Sequence, residues 1–286
     1  MVRLIGVLLI VISAASFGAM PIFAHVAYAA GVTPLTALFF RFAIAALCLG
    51  AYQAVRQRPL PQLKNLRTLM VMGGLGFVLQ SLSFFTALTF ATPGVVVLLL
   101  YLYPTIVVGI SIVVLHQPSS PTKLVALGLA LGGTALTIGS VGDTQPIGVC
   151  LGLASALVYA IYVLVGERVM QEESPIMACT VMITSAAAVF GGIVALHGVS
   201  LPTMAKGWAA LGALALVSTV VAIGTLFTGI KLLGAPTAAI LSTLEPVVTI
   251  LLALAILQQP ITLPQLAGGT LILTSVMMLA TGKELD

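Results

Sequence analysis

The feature that most limits the fold of this chain is a series of long apolar runs joined by short connections. About 20 apolar residues are enough to cross the hydrocarbon core of a bilayer as an α-helix. Ten runs approach or exceed that length: 3–28, 33–53, 66–88, 92–115, 122–140, 146–167, 175–196, 207–230, 235–257 and 262–281. None alternates with the period of two that barrel strands show, and backbone groups in hydrocarbon must be bonded internally. The runs therefore predict an all-α membrane protein with ten transmembrane helices.

Composition supports this class and excludes others. Hydrophobic residues make up 60% of the chain and charged residues only 6%, whereas a soluble domain carries about 25% charged residues. The net charge is +4, and most of the basic residues lie between the apolar runs. This placement favours anchoring at the cytoplasmic face over binding to nucleic acid. The three cysteines form no CxxC or Cys/His pair, so we predict neither a metal nor a cofactor. The expected partners are the lipid bilayer and a small-molecule substrate.

The two halves of the chain are related by a shift of 142 residues. The shift places Gly6 on Gly148, Ser13 on Ser155, Leu102 on Leu244, Pro104 on Pro246 and Gln117 on Gln259. The same shift aligns residues near the start and near the end of each half without a gap. The sequence therefore predicts a tandem repeat. We divide it into a first five-helix repeat, 1–141, and a second, 145–286.

The basic residues predict an orientation. If ten helices alternate, one side of the membrane holds Arg3, Arg56, Arg58, Lys64, Arg67, Lys123, Arg168, Lys231 and Lys283, and the other holds only Lys206. Since Lys and Arg are enriched in cytoplasmic loops, both termini should be cytoplasmic. Five helices is an odd number, so the second repeat must enter the membrane in the opposite sense. The sequence therefore predicts an inverted-topology repeat, a layout common in secondary transporters.

Several short motifs carry a resemblance to a known family. They are Gly18-Ala19-Met20-Pro21, Arg41, Ala87-Leu88, Pro104, the Leu-Glu-Pro-Val run 244–247, and 265–270 at the start of the last helix. In their order and spacing the chain resembles the EamA family of the drug/metabolite transporter superfamily over almost its whole length. The resemblance implies a bacterial inner-membrane exporter of small metabolites such as amino acids. It also implies a central cavity between the two halves.

Two charges inside the predicted helices are the main site candidates. Arg41 lies about eight residues, or roughly 12 Å, from the outer end of its helix, and Glu245 lies near the midplane of helix nine. A charge at such depth costs at least ~2.5–3.5 kcal/mol and usually has a partner or a wet cavity. Arg41 could bind a substrate carboxylate, and Glu245 could bind a proton or a substrate amine. Alternatively, the two are satisfied by each other or by backbone groups at the proline breaks.

Other polar residues at mid-helix depth are candidates for the cavity lining. They are Tyr101, Tyr103, Tyr159, Tyr162, Gln80 and Ser83. Pro104 and Pro246 should break their helices and free backbone carbonyls that a substrate can use. The alternative is that these polar groups only join helices. Close packing alone explains the GxxxG pair Gly128 and Gly132, and Gly268-Gly269.

An enzyme acting on a lipid-like substrate is the alternative from another class. It would need convergent acids, bases or metal ligands, and the sequence has no HExxH, DxxD or GxSxG motif. A phosphate or sugar-nucleotide exchanger would need several cations in the cavity, and only Arg41 is available. We therefore predict a secondary transporter, not an enzyme, and Glu245 is the hypothesis for a proton-coupling site. A passive facilitator differs from such a transporter only in coupling, which the sequence does not reveal.

Overall fold

The computed structural model describes residues 2–57, 60–87, 90–91, 93–138, 145–258 and 260–281, and all regular secondary structure in these ranges is helical. In chain order the α-helices are α1 Val2–Gly18, α2 Met20–Ala29, α3 Pro34–Arg56, α4 Leu63–Val71, α5 Val78–Ala87, α6 Pro93–Leu100, α7 Tyr103–Val113, α8 Pro121–Ile138, α9 Pro146–Glu172, α10 Pro175–His197, α11 Ala205–Ala215, α12 Ala222–Leu233, α13 Ala235–Leu241, α14 Glu245–Leu257 and α15 Leu263–Thr281. The predicted all-α class is confirmed.

Nine helical stretches of the described chain are long and apolar enough to cross a membrane. They are Val2–Ala29, Pro34–Arg56, Leu63–Phe84, Val95–Val113, Pro146–Glu172, Pro175–His197, Ala205–Leu233, Ala235–Ile256 and Leu263–Ala280. The predicted run 122–140 corresponds to α8, which is not one of the nine. Its C-terminal end adjoins residues 139–144, which lie outside the described ranges.

Two helices are interrupted at the same point of the two repeats. The first break, between α6 and α7, spans residues 101–102 and immediately precedes the Tyr103-Pro104 pair. The second lies between α13 and α14, where the 3₁₀ turn Ser242–Leu244 precedes Pro246. Proline has no N–H to donate to the preceding turn, and its ring clashes with the carbonyl four residues earlier. Both breaks therefore leave polar backbone groups in the middle of a spanning segment.

Other irregularities also recur in both halves. A π-helical turn, Met72–Phe77, separates α4 from α5, and a second, Leu216–Val221, separates α11 from α12. His116 and Gln258, 142 residues apart, both adopt left-handed backbone conformations with φ of 54° and 56°. π-helical turns are rare, and a positive φ is uncommon for a residue other than glycine. Their recurrence in both halves shows that the repeat is present in the backbone as well as in the sequence.

Contacts between the halves follow the same offset. Ser13 in α1 donates a hydrogen bond to the Ala222 carbonyl at 2.8 Å, and Ser155 in α9 donates one to the Gln80 carbonyl at 3.4 Å. The two donors are 142 residues apart, and so are the two acceptors. Exchanging the repeats thus exchanges the two contacts. The main buried core likewise combines both halves, and the rings of Phe42 and Phe190 stack in it at 5.5 Å.

The crossing of α8 and α15 is the closest approach that involves the predicted glycine motifs. A Cβ at Gly133 would lie 2.6 Å from the Gly268 carbonyl oxygen, and Ser275 donates to the Ala126 carbonyl at 2.7 Å. Residue numbers that rise along α8 fall along α15, so these equivalent helices run antiparallel. The assignment of packing to Gly128 and Gly132 is wrong, because a Cβ at either would meet nothing within 4 Å. The face of α8 that packs against α15 is the one that contains Gly133, the residue after Gly132.

The basic residues gather at one end of the bundle, which we call the basic end. There the C-terminal end of α9 contacts α4, where Asn65 donates to Glu172 at 2.9 Å, and α12, where Lys231 donates to the Glu173 carbonyl at 3.1 Å. The basic residues on the helix ends that meet here are Arg3, Arg56, Lys64, Arg67, Lys123, Arg168 and Lys231. Arg58 and Lys283, predicted for the same side, lie outside the described residues.

Candidate functional site

Glu245 lies where the interrupted helices of the two repeats meet. It is the first residue of α14, so its carboxylate is next to the positive end of that helix dipole. The Tyr101 hydroxyl, at the equivalent break of the first repeat, donates a hydrogen bond to Glu245 Oε2 at 3.0 Å. Tyr101 is buried, whereas the Glu245 side chain keeps part of its surface accessible. The carboxyl group is therefore held in place where the two breaks meet.

Two further tyrosines extend this site. Tyr103 is buried and donates to the Ala239 carbonyl at 3.3 Å. Its ring packs edge-on against Tyr159 with 4.6 Å between centroids. Tyr159 is only partly buried, and its hydroxyl has no hydrogen-bond partner among the residues that the structure describes. This hydroxyl is thus a polar group that a bound molecule could use.

Arg41 is satisfied by the π-helical turn of the second repeat. Its Nε donates to Thr219 Oγ1 at 2.7 Å and its Nη2 to the Ser218 carbonyl at 3.1 Å. The guanidinium also lies over the Phe42 ring, with Cζ 5.1 Å from the centroid. The π turn disturbs the regular i→i−4 ladder and presents a carbonyl to a side-chain donor. Arg41 is itself buried, and it uses two of its five N–H groups in these bonds.

The two charges of the site do not form an ion pair. No nitrogen of Arg41 is within the 4.0 Å limit of a salt bridge to the Glu245 carboxylate. Each has other partners instead, Thr219 and Ser218 for the cation and Tyr101 for the carboxylate. Tyr159 is close enough to both charges to be influenced by each. Of the alternatives open from the sequence, the structure selects separate partners for the two charges.

A double-mutant cycle tests this arrangement. Arg41→Ala and Thr219→Val should be coupled by about 1.5–3 kcal/mol in unfolding free energy, because each removes one end of a charged hydrogen bond. Arg41→Ala and Glu245→Gln should be additive within about 0.5 kcal/mol. Reversible denaturation of the purified protein in mixed micelles measures both cycles. Strong coupling between Arg41 and Glu245 would contradict the structure.

The remaining predicted site residues lie on other contacts. Gln80 in α5 donates to Ser155 Oγ in α9 at 3.2 Å, and Ser83 is buried on the same helix. Tyr162 donates to the Met182 sulfur in α10 at 3.4 Å. Gln80 and Tyr162 thus join neighbouring helices, and the Tyr162 ring also stacks on Tyr159 with 6.2 Å between centroids. We call Glu245, Tyr101, Tyr103 and Tyr159 the tyrosine–glutamate set. Pro104 and Pro246 are both buried beside the breaks.

Sequence reasoning missed one carboxylate. Glu245 is not the only acidic residue within a helix, because α9 continues to Glu172 and includes Glu167. Glu167 Oε1 accepts a hydrogen bond from the Ala235 N–H at 3.0 Å and so caps the first turn of α13. The preceding Gly234 has φ of 80°, a value that favours glycine. The predicted run 146–167 already ended on Glu167, and the helix continues for five more residues to Glu172, so Glu167 lies inside the helix and not at its end.

The polar partners of Arg41 were missed as well. Ser218 and Thr219 form the only Ser-Thr pair within the run 207–230, but nothing local shows which distant helix they face. As for metals, the described parts of the chain contain no group of three or more His, Cys, Asp or Glu residues that could hold one.

The family model for EamA-like transporters matches residues 4–139 and again 146–281. The chain belongs to the EamA-like transporter family. Curated relatives have matching names: the uncharacterized transporter YcbK of Bacillus subtilis is 27% identical over 98% of this chain and 92% of its own length. The uncharacterized transporter sll1319 of Synechocystis sp. is 28% identical over 74% of this chain and 68% of the relative. The uncharacterized inner membrane transporter YicL of Salmonella typhimurium is 28% identical over 76% and 74%.

A solved crystal structure has the same fold as this EamA-like chain. The TM-score is 0.81 at 20% sequence identity, and the match covers 96% of this chain and 95% of the other. At that identity the likeness shows the fold alone. The family and the names of the relatives indicate a membrane transporter, which is not an enzyme.

Proposed function

We propose that this protein is a secondary transporter that exports small metabolites, such as amino acids, across the bacterial inner membrane by alternating access. The observation that carries the proposal is the hydrogen bond between Tyr101 and Glu245. It joins the broken helices of the two repeats at one carboxyl group. Broken helices at a repeat interface are where secondary transporters bind substrates and coupling ions.

The polar groups of the site fit a zwitterion. Arg41 retains guanidinium donors for a carboxylate, and Glu245 retains Oε1 for an ammonium group. Tyr159 lies near both charges and offers an unpaired hydroxyl. An amino acid has a carboxylate and an ammonium group on the same carbon. A single molecule could therefore bind Arg41 through its carboxylate and Glu245 through its ammonium group. Because Arg41 and Glu245 are not paired with each other, binding need not break an ion pair.

The proposed architecture is ten helices in two inverted five-helix repeats, 1–141 and 145–286. Antiparallel packing of α8 on α15, the equivalent last helices of the repeats, supports it. The exchanged hydrogen bonds Ser13–Ala222 and Ser155–Gln80 support a two-fold relation between the repeats. The basic end supports an orientation with both termini in the cytoplasm.

Reporter fusions test this topology. A phosphatase or fluorescent reporter fused after residue 60 or after residue 285 should report the cytoplasm. A reporter near residue 143 should report the outside, because one repeat of five helices ends on the opposite side from its start. An outside signal at 285 would mean that the number of spanning helices is not even, and the inverted arrangement would be lost.

Transport itself is tested with proteoliposomes loaded with a mixture of radiolabelled L-amino acids. The native protein should release label faster than protein-free liposomes. Tyr159→Phe should slow release by about threefold to tenfold, the worth of one neutral hydrogen bond. This change removes a hydroxyl that bonds nothing in the described protein, so the melting temperature should not move. Release equal to that of protein-free liposomes would refute the amino acid proposal.

A further inference from the structure

A cleft separate from the Glu245 site opens on the side of the bundle. It has a volume of about 660 Å³ and lies between α4, α7 and α9 at the basic end. Its lining includes Lys64, Arg168 and Glu172 but no residue of the tyrosine–glutamate set described above. Nothing in the transport proposal uses this cleft.

The walls of the cleft are divided between polar and apolar residues along the bundle axis. Arg168 lies near the C-terminal end of α9, and Ile161, Leu164 and Val165 lie one to two turns deeper on the same helix. Ile110 of α7 adds to the deep apolar wall. A molecule that fits must therefore have a polar head toward the basic end and an apolar body toward the middle of the bundle.

The apolar wall continues onto a surface that faces outward. Leu153, Leu157 and Ile161 recur every fourth residue along α9 and are 40%, 46% and 47% exposed. Exposed apolar side chains on a helix that spans a bilayer contact lipid chains. The deep end of the cleft is thus continuous with the hydrocarbon, and an acyl chain could lie along this stripe.

The lining of the cleft holds two cations and two carboxylates, and only the carboxylates have hydrogen-bond partners among the described residues. Glu172 accepts a hydrogen bond from the Asn65 amide at 2.9 Å, and Glu167 accepts one from the Ala235 N–H at 3.0 Å. By contrast, the side chains of Lys64 and Arg168 are exposed and form no hydrogen bond or ion pair within the described residues. Two cations of one cleft that have no protein partner can both turn toward an anion, and lysine and arginine are the residues that bind phosphate.

We propose that this cleft binds the phosphate headgroup of an anionic glycerophospholipid, with Lys64 and Arg168 on the phosphate and an acyl chain along Ile161, Leu157 and Leu153. The cleft is built from α4 and α7 of the first repeat and α9 of the second. A bound lipid would therefore bridge the two repeats at the basic end. It would stabilise the packing of those three helices against one another.

The test measures lipid retention by native mass spectrometry of the full-length protein, taken from mixed micelles of phosphatidylglycerol and phosphatidylcholine with the same acyl chains. The native protein should retain phosphatidylglycerol in preference. The double variant Lys64→Gln/Arg168→Gln should lose that preference by roughly tenfold to thirtyfold, since each cation near a membrane surface adds about 1 kcal/mol, or about fivefold, to anionic lipid binding. The matched control is Arg56→Gln/Arg67→Gln, which removes two exposed cations of the same end outside the cleft.

Three outcomes would overturn the proposal. An equal loss in both double variants would mean that diffuse charge, not the cleft, attracts the lipid. Unchanged retention in Lys64→Gln/Arg168→Gln would mean that these side chains do not bind it. Protection of the native protein against heat by sn-glycerol 3-phosphate, as strong as that by phosphatidylglycerol, would mean a site for soluble phosphates that does not use the apolar wall. The single variant Ile161→Ser tests the apolar wall: it leaves both cations in place and should still weaken phosphatidylglycerol retention.

Discussion

Substituting Glu245 with Gln should abolish the response of transport to a pH gradient while leaving downhill exchange in place. The amide keeps an oxygen that can accept the hydrogen bond from Tyr101, so the geometry at the helix break should persist. It removes the only carboxyl group of the tyrosine–glutamate set, whose other members are phenols with a reference pKa of about 10. One pH unit is worth about 1.4 kcal/mol per proton, so a one-to-one exchanger can concentrate substrate up to about tenfold.

The measurement uses proteoliposomes and the L-amino acid that the native protein exchanges fastest. Under a gradient of one pH unit the native protein should accumulate label several-fold, and Glu245→Gln should stop at equal concentrations on both sides. The matched control is Glu167→Gln, a second carboxylate within a helix that caps α13 instead of lining the site. It should retain accumulation. If Glu245→Gln concentrates substrate as the native protein does, Glu245 is structural and proton coupling lies elsewhere.

Substituting Gly133 with Ala should destabilise the protein, whereas the same change at its neighbour Gly132 should not. A Cβ at Gly133 would lie 2.6 Å from the backbone oxygen of Gly268 and 2.8 Å from Ile272. Backbone cannot move aside as a flexible side chain can, so overpacking of about 1–3 kcal/mol is expected. At Gly132 a Cβ would meet nothing within 4 Å, and alanine is the better helix former by about 1 kcal/mol.

Thermal unfolding in a single detergent measures both variants. Gly132→Ala should melt at the native temperature or slightly above it, and Gly133→Ala should melt several degrees lower. Gly128→Ala is a second control, because its added methyl would also meet open space. Losses at Gly128 and Gly132 without a loss at Gly133 would favour the GxxxG face that the sequence motif indicates. A loss confined to Gly133 supports the crossing with α15.

Some properties of this protein could be predicted because they depend on local composition. The length and hydropathy of each run predict helices, since hydrocarbon allows no unpaired backbone groups. Pro104 and Pro246 can be expected to interrupt their helices, because a missing N–H acts within one turn. The 142-residue repeat is also visible in the sequence, and the backbone repeats its π turns and left-handed residues at nearly the same offset. The family resemblance drawn from these residues is confirmed.

The contacts between distant helices could not be predicted in this way. Arg41 and Thr219 are 178 residues apart, and Tyr101 and Glu245 are 144 apart. In a helix of a soluble protein, the apolar stripe shows which face is buried and the polar stripe shows which face is exposed. A lipid-facing helix is apolar on every side, so this distinction is lost. Hydropathy therefore does not distinguish the face of Gly133, which packs, from that of Gly132, which does not. Arg41 and Glu245 were candidates for an ion pair because they lie at a similar depth. Their actual partners depend on the rotation of each helix about its axis, which tertiary packing sets.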